Sequence, residues 1–184
     1  MKIILTGHTS PMGSVLFDYY KSKAEVVGIS RSTGYDLTEQ SILNQVAELV
    51  LESDVFINLA NVGVSQIQLL NIIDKKYTKE NKIKSIITVG TLATQLDPKL
   101  LAQAKAHEQY IKNKQQLDAV HKVLANRNPF GDQIKYTLLR VLNFGPKTGD
   151  RQGEPTCDAE DIIRTFEYIL NEPMYIGLID LRRY

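Results

Sequence analysis

The chain has 184 residues, 43% of them apolar and 23% charged, which is typical of a single soluble domain with a full hydrophobic core. Its 22 basic and 21 acidic residues leave a net charge of +1, so charge gives no reason to expect a nucleic-acid or membrane partner. Cys157 is the only cysteine, which excludes an intrachain disulfide and a cysteine metal cluster and fits a cytoplasmic location.

Short apolar runs alternate with amphipathic runs along the whole chain, and this order predicts alternating strands and helices. The predicted strands cover residues 2–5, 24–30, 54–59, 83–89, 134–142 and 175–181, with a very short further strand over 35–37. The predicted helices begin near residue 14 and then cover 39–51, 64–79, 98–126 and 158–170. We therefore expect one α/β domain over residues 1–184. Its doubly wound, mostly parallel, Rossmann-like sheet should have six or seven strands, right-handed crossovers and helices on both faces.

The helix patterns also predict caps and inner faces. Either Asp36 or Thr38 can cap the helix over 39–51. The residues expected on the inner faces of the second and third helices are Ile42, Val46, Leu49 and Val50, followed by Ile67, Leu70, Ile73 and Tyr77.

The turn after the first strand, from Thr6 to Gly13, suits a dinucleotide pyrophosphate. Such a ligand needs a tight turn, a close backbone approach and the free N–H groups of a helix N-terminus. Gly7 permits the turn and Gly13 permits close packing of the helix on the strand. An ordinary strand–helix turn is the alternative.

The turn resembles the Thr-Gly-x-x-x-Gly-x-Gly motif of the short-chain dehydrogenase/reductase family. The chain keeps Thr6, Gly7 and Gly13 but has Pro11 in place of the middle glycine, which removes one N–H donor. The resemblance implies that the turn binds a nicotinamide dinucleotide through Gly7, Thr9, Ser10, Met12 and Gly13.

The end of the second strand indicates which dinucleotide is preferred. NAD sites place a carboxylate there to bind the ribose hydroxyls, whereas this chain has Ser30, Arg31 and Ser32. A guanidinium and two hydroxyls suit a 2′-phosphate, so we predict NADP, with NAD less favoured and a surface arginine as the alternative. The resemblance further implies that Asp36 and the Leu37 N–H contact the adenine and that Asn61 lines its ribose.

Tyr110 and Lys114 lie four residues apart on the predicted long helix and so share one face. A nearby ammonium favours the phenolate and lowers the pKa of a tyrosine, which prepares it for proton exchange with a carbonyl or alcohol oxygen. The pair resembles the Tyr-x-x-x-Lys motif of the same family, in which the lysine also bonds the nicotinamide ribose. Thr91, with Thr94 as a competitor, matches the serine that polarises the substrate, and Asn71 matches an asparagine that orders a relay water.

Three interpretations follow from these motifs. The first is an NADP(H)-dependent oxidoreductase acting on a small carbonyl or alcohol. The second is a non-catalytic NADP-binding regulatory or sensing protein, and the third is a sugar-nucleotide epimerase or reductase of the family's extended branch. The short polar segment over 143–157 predicts a reduced substrate lid, and Asn143 to Pro146 resembles the family's nicotinamide-contacting turn.

The long helix also predicts a homodimer or higher oligomer, because relatives often pair through helices at this place. Its apolar residues either form that contact or face the sheet, and they are Leu100, Leu101, Ile111, Leu117 and Leu124. His8, in the glycine turn, and His107, one turn before Tyr110, are weaker candidates for the site.

Overall fold

A computed structural model of the chain describes residues 1–95, 108–127, 134–141, 144–145 and 156–182. Within them lies one sheet of six parallel strands in the order β2-β1-β3-β4-β5-β6. Its strands are β1 (Lys2–Thr6), β2 (Glu25–Ile29), β3 (Val55–Asn58), β4 (Ser85–Thr91), β5 (Lys135–Val141) and β6 (Leu178–Leu181). The described helices are α1 (Pro11–Tyr20), α2 (Gln40–Leu51), α3 (Ser65–Lys76), α4 (Glu108–Arg127) and α5 (Ala159–Asn171). The predicted α/β fold is thus confirmed.

Helices cover both faces of the sheet and bury two apolar layers. One layer joins α2, α3 and α4 to the sheet through residues such as Val46, Leu69 and Leu117. The other joins α1 and α5 through Leu16 and Phe166. β3 and β4 are buried along their whole length, as expected for central parallel strands with helices on both faces.

Two local predictions are wrong. Residues 35–37 form no strand and follow a short 3₁₀ turn, Arg31–Thr33, so β2 remains an edge strand. Neither Asp36 nor Thr38 caps α2. The Asp36 carboxylate instead accepts from the Thr38 backbone N–H at 3.0 Å and from its hydroxyl at 2.8 Å, and Glu39 takes the cap position. A side chain that bonds the backbone two residues on favours a turn over a continuing strand or helix.

The inner faces of two helices are also rotated slightly from the predicted register. In α2, Leu43 is buried while Ile42 and Leu49 are only partly covered. In α3, the buried residues are Ser65, Gln66, Leu69, Leu70 and Ile73, and Ile67 lies at their margin. Each observed face follows the spacing of three and four residues that one side of a helix requires.

The last crossover departs from the predicted right-handed rule. Both α1 and α5 pack on the same face, yet α1 leads from β1 to β2 in one direction across the sheet and α5 leads from β5 to β6 in the other. Two crossovers on one face that run in opposite directions have opposite hands, so the crossover through α5 is left-handed. Because α5 lies there, no helix among the described residues covers the other face of β6, where Leu178 is 53% exposed.

The described apolar residues of α4 that were predicted to form an oligomer contact do not face outward. Ile111, Leu117 and Leu124 are 8%, 1% and 3% exposed and pack against the protein's own core. Leu100 and Leu101 lie outside the described residues. The three described residues of that predicted contact are therefore buried within the chain, and the oligomer itself stays a prediction.

Candidate active site

The glycine turn joins β1 to α1 at the carboxyl edge of the sheet. Gly7 has a φ of +73°, and its N–H donates to the Ile29 carbonyl oxygen at 2.9 Å. A Cβ on Gly7 would lie 2.9 Å from the Ala60 Cα, and one on Gly13 would overlap the Gly7 carbonyl oxygen. Both glycines are thus required by close backbone approach, and the β1–turn–α1 geometry fits a dinucleotide phosphate.

Thr6 fixes this turn to the neighbouring strand. Its hydroxyl accepts hydrogen bonds from the N–H groups of Leu59 and Ala60 at 3.0 and 3.2 Å and donates to the Ile57 carbonyl oxygen at 3.3 Å. The ends of β1 and β3 are held together as a result. This contact places Asn61 opposite the turn.

The first turn of α1 offers fewer N–H groups than a complete glycine motif. Pro11 has no N–H, and the Gly13 N–H donates to the Ser10 hydroxyl oxygen at 3.1 Å. The Ser14 N–H donates to the Ser10 carbonyl oxygen at 2.8 Å. In the described part of the chain, the Met12 N–H is then the one without a partner in this first turn.

A cleft of about 720 Å³ runs from this turn along the end of β2. Nine of the residues assigned to a cofactor from the sequence lie on it, and they are Gly7, Thr9, Ser10, Ser30, Arg31, Ser32, Asp36, Leu37 and Asn61. Met12 and Gly13 lie at the start of α1 beside it. The cleft therefore has the place and the polar lining that the adenosine half of a nicotinamide dinucleotide requires.

The end of β2 is held in a defined shape. The Thr33 hydroxyl donates to the Gly28 carbonyl oxygen, accepts from the Ser30 N–H at 3.0 Å, and the following Gly34 has a φ of +86°. Arg31 is exposed at the cleft, and its positive charge is among the causes that lower the pKa of the nearby Asp36. The larger causes of that lowered pKa are the hydrogen bonds from Thr38.

His8 does not point into the phosphate turn. Its ring stacks at a tilt on Phe17 with the centroids 5.2 Å apart, and a Cβ on Gly28 would meet the ring at 2.5 Å. Gly28 thus makes room for His8, which packs between α1 and β2. His8 therefore has a packing role here.

Thr91, Tyr110 and Lys114 come together at the carboxyl end of β4. The Thr91 side chain is 6% exposed and lies close enough to Tyr110 to lower its pKa, while the Lys114 Nζ lies 5.9 Å from the Tyr110 ring centroid. Thr94 is held elsewhere, because its hydroxyl donates to an Asp118 carboxylate oxygen at 3.0 Å. Between the two candidate threonines, the geometry thus favours Thr91.

Burial controls the protonation of this group. Burial raises the pKa of Tyr110, and the nearby Thr91 hydroxyl only partly opposes that rise. Burial therefore raises the pKa of this tyrosine, where the sequence predicted that Lys114 would lower it. Burial also lowers the pKa of Lys114 to about 8, against the opposing effect of Asp118.

The sequence did not single out Gln66, although it contacts the lysine directly. Its side-chain oxygen accepts from the Lys114 Nζ at 2.8 Å, and the Val89 carbonyl oxygen accepts from the same nitrogen at 3.1 Å. Asn71, the predicted equivalent of the family asparagine, is exposed on α3. The available signal was the position of Gln66 on an apolar stripe, three, four and seven residues before Leu69, Leu70 and Ile73.

Several predictions fall wholly or partly outside the described residues. His107, Asn143, Pro146 and the segment over 147–154 lie there, as do residues 98–107 of the predicted long helix. Phe144 and Gly145 are described, and the Gly145 N–H donates to the Cys157 carbonyl oxygen at 3.1 Å.

Comparison with known proteins identifies the class and then the family. The sheet, the glycine turn and the Tyr–Lys pair define a Rossmann-type domain of the dinucleotide-binding class. Residues 3–138 match the family model described as the NAD dependent epimerase/dehydratase family, and the chain belongs to this family. Its relation to the short-chain dehydrogenase/reductase group, inferred from the motifs, is confirmed. A search of curated proteins finds no match.

Solved structures share the fold at low sequence identity. A 3-ketoacyl-(acyl-carrier-protein) reductase from Brucella melitensis complexed with NADH is 16% identical with a TM-score of 0.73, covering 98% of this chain and 96% of that one. A GDP-L-fucose synthetase from Naegleria fowleri is 14% identical with a TM-score of 0.74, covering 99% and 76%. A methylglyoxal/isovaleraldehyde reductase from yeast complexed with NADPH is 10% identical with a TM-score of 0.71, covering 99% and 78%.

In the part of the chain that the structure describes, no helix combines the length and the apolarity needed to cross a membrane.

Proposed function

We propose that the protein is an NADP(H)-dependent oxidoreductase that transfers a hydride between the nicotinamide and a small carbonyl or alcohol. The observation that carries this proposal is the meeting of Thr91, Tyr110 and Lys114 at the end of β4, on the same sheet edge as the glycine turn. A phenol, a hydroxyl and an ammonium at one place are the groups that carbonyl reduction requires. The family assignment supports a nicotinamide dinucleotide as the cofactor.

The chain's own residues handle the proton. A nicotinamide dinucleotide, when bound, would supply the hydride for the carbonyl carbon. Tyr110 donates its hydroxyl proton to the carbonyl oxygen, Thr91 donates a hydrogen bond to that oxygen, and the product is an alcohol. The Lys114 ammonium stabilises the phenolate left on Tyr110, which then takes a proton from solvent.

The protonation of Tyr110 supports reduction as the preferred direction. Its raised pKa keeps the phenol protonated at neutral pH, and a protonated phenol is the acid that reduction uses. Alcohol oxidation needs the phenolate as a base, which is scarce under the same conditions. Reduction is therefore expected to be faster than oxidation near pH 7.

The choice of NADP rests on Arg31. A guanidinium bonded to a phosphate contributes about 1.5–3 kcal/mol, so loss of Arg31 should weaken NADPH binding about tenfold or more. We would compare the melting-point increases given by NADPH and NADH in the wild type and in Arg31→Gln, with Arg164→Gln on α5 as the matched control. Equal increases with both cofactors would exclude the NADP preference, and no increase with either would exclude the enzyme assignment.

Catalysis is tested separately with Tyr110→Phe. This variant loses the donated proton but keeps the ring, so it should retain NADPH binding and lose turnover on any carbonyl that the wild type reduces. A panel of aldehydes and ketones, with NADPH consumption as the readout, provides the assay. Full activity of Tyr110→Phe would contradict the role of this tyrosine.

A sugar nucleotide is the second candidate substrate. The family description and the fold shared with a GDP-L-fucose synthetase favour it. The same assay with nucleotide sugars, followed by product chromatography, distinguishes a redox-neutral epimerase from a reductase. NADPH binding with no turnover on either panel would favour the non-catalytic, cofactor-sensing interpretation.

A further inference from the structure

The Gln66 side chain is held in one orientation beside the catalytic group. It is 3% exposed at the start of α3, and its Nε2 donates to the Asn58 carbonyl oxygen at 2.8 Å. The Asn58 side chain, 1% exposed, donates in return to the Gln66 carbonyl oxygen at 3.3 Å. Because Nε2 is occupied by a carbonyl acceptor, the Gln66 Oε1 is the atom that faces Lys114.

The buried Lys114 ammonium is hydrogen-bonded to two oxygen atoms. The side chain is 5% exposed, and its Nζ donates to the Gln66 Oε1 at 2.8 Å and to the Val89 carbonyl oxygen at 3.1 Å. An ammonium has three N–H donors, so these two bonds leave one. A buried charge needs such acceptors, since burial alone favours the neutral amine.

Tyr110 and Asp118 are the titratable groups beside this ammonium. Both lie on α4, as Lys114 does, and Asp118 is itself bonded to Thr94 on the turn after β4 and lies 3.7 Å from the Arg140 guanidinium on β5. The groups that α3 and β4 bring to Lys114 are neutral, namely the Gln66 amide and the Val89 carbonyl. Gln66 is therefore the acceptor whose replacement changes Lys114 without altering Asp118 or Arg140.

We propose that Gln66 is a positioning residue whose amide oxygen keeps Lys114 charged and fixes it beside Tyr110. The catalytic purpose of this contact rests on the proposed oxidoreductase function. The effect of Gln66 on the charge of Lys114 does not depend on that function. The amide stands in direct contact with the lysine, where the family resemblance implied an asparagine acting through an ordered water. A fixed side chain holds the ammonium without depending on solvent.

The experiment measures the pKa of Lys114 by NMR in protein labelled at the lysine side chains, with Lys114→Met used to assign its resonance. Wild-type Lys114 is expected to titrate near pH 8. Gln66→Met removes the acceptor at similar volume and should lower that pKa by about one to two, the equivalent of one charge-assisted hydrogen bond. Gln66→Glu supplies a carboxylate at the same distance and should raise the pKa above the wild-type value.

Gln68→Met is the matched control, because Gln68 lies on the exposed side of the same helix and should leave the Lys114 pKa unchanged. An unchanged Lys114 pKa in either Gln66 variant would overturn the proposal. Gln66→Glu retains the acceptor toward Lys114 and loses only the donor to the Asn58 carbonyl oxygen, so it decides the question if Gln66→Met does not fold. The melting-point increase that NADPH gives on the same samples separates the two proposals. If NADPH does not raise the melting point of the wild type but the Lys114 pKa still depends on Gln66, only the oxidoreductase proposal is overturned.

Discussion

Ser10 competes with the cofactor for the N-terminus of α1. Its hydroxyl oxygen accepts the Gly13 N–H at 3.1 Å, and Pro11 provides no N–H of its own. An anionic pyrophosphate at this helix must either displace the Ser10 cap or bind without the Gly13 N–H. Ser10→Ala removes the competitor, so two effects of opposite sign are expected in one variant.

The first effect is lower stability of the protein by itself. Loss of a serine N-cap costs about 1 kcal/mol, which lowers the melting point by about 2–4 °C in a domain of this size. The second effect is tighter NADPH binding, because the cap no longer has to be broken when the phosphate binds. Recovery of about 1 kcal/mol strengthens binding about fivefold.

Both effects are measured by thermal melting and by calorimetric titration of NADPH. Ser14→Ala is the control, since Ser14 lies in the same turn, is exposed and uses its hydroxyl only on the Pro11 carbonyl oxygen at 3.0 Å. Weaker NADPH binding in Ser10→Ala would refute the reasoning. It would mean that the hydroxyl turns to donate to the phosphate and contributes to binding.

Three further substitutions test packing and protonation. Gly13→Ala forces a Cβ onto the Gly7 carbonyl and should lower the free energy of unfolding in urea by about 1–3 kcal/mol. Gly177→Ala is the control and should be near neutral, because its Cβ would have nothing nearer than 3.9 Å. Equal stabilities of the two variants would contradict this. Burial lowers the pKa of His121 from 6.5 to about 4, so the unfolded chain binds more protons between these values. From pH 7 to pH 5 the free energy of unfolding should therefore fall by about 2 kcal/mol more in the wild type than in His121→Phe. Parallel plots of that free energy against pH would exclude this. The pKa of Lys114 is lowered from 10.5 to about 8, so its contribution to stability also increases as the pH rises, but at higher pH. From pH 8 to pH 9.5 the free energy of unfolding of the wild type should rise by about 1.5 kcal/mol relative to that of Lys114→Met. A constant difference between the two free energies would argue against this.

The sequence predicted the fold well because its apolar runs differ clearly in period. The strand over 83–89 and the helix over 39–51 lie within two residues of β4 and α2. The errors arose where one side chain decides the local structure. Asp36 makes a turn through its bonds to Thr38, and no apolar pattern records such a bond.

The candidate site was predictable in part for a similar reason. Motif spacing places Tyr110 and Lys114 on one helical face, and the structure has them there. Gln66 was not found because its contact with Lys114 joins residues from two helices that the sequence separates widely. The pKa of Tyr110 was predicted in the wrong direction because a spacing of four residues says nothing about how deeply the phenol is buried.

The two ends of the cleft are therefore expected to contribute unequally to cofactor binding. At the pyrophosphate end, the first turn of α1 offers the free Met12 N–H, because Pro11 lacks a donor and the Ser10 cap occupies Gly13. At the adenosine end, Arg31 is exposed on the cleft. The pyrophosphate is common to NADPH and NADH, so a weak phosphate turn lowers the affinity for both without changing their ratio, which Arg31 sets. NADH loses the 2′-phosphate contact and retains only the weak turn, so its binding should fall below detection before that of NADPH does.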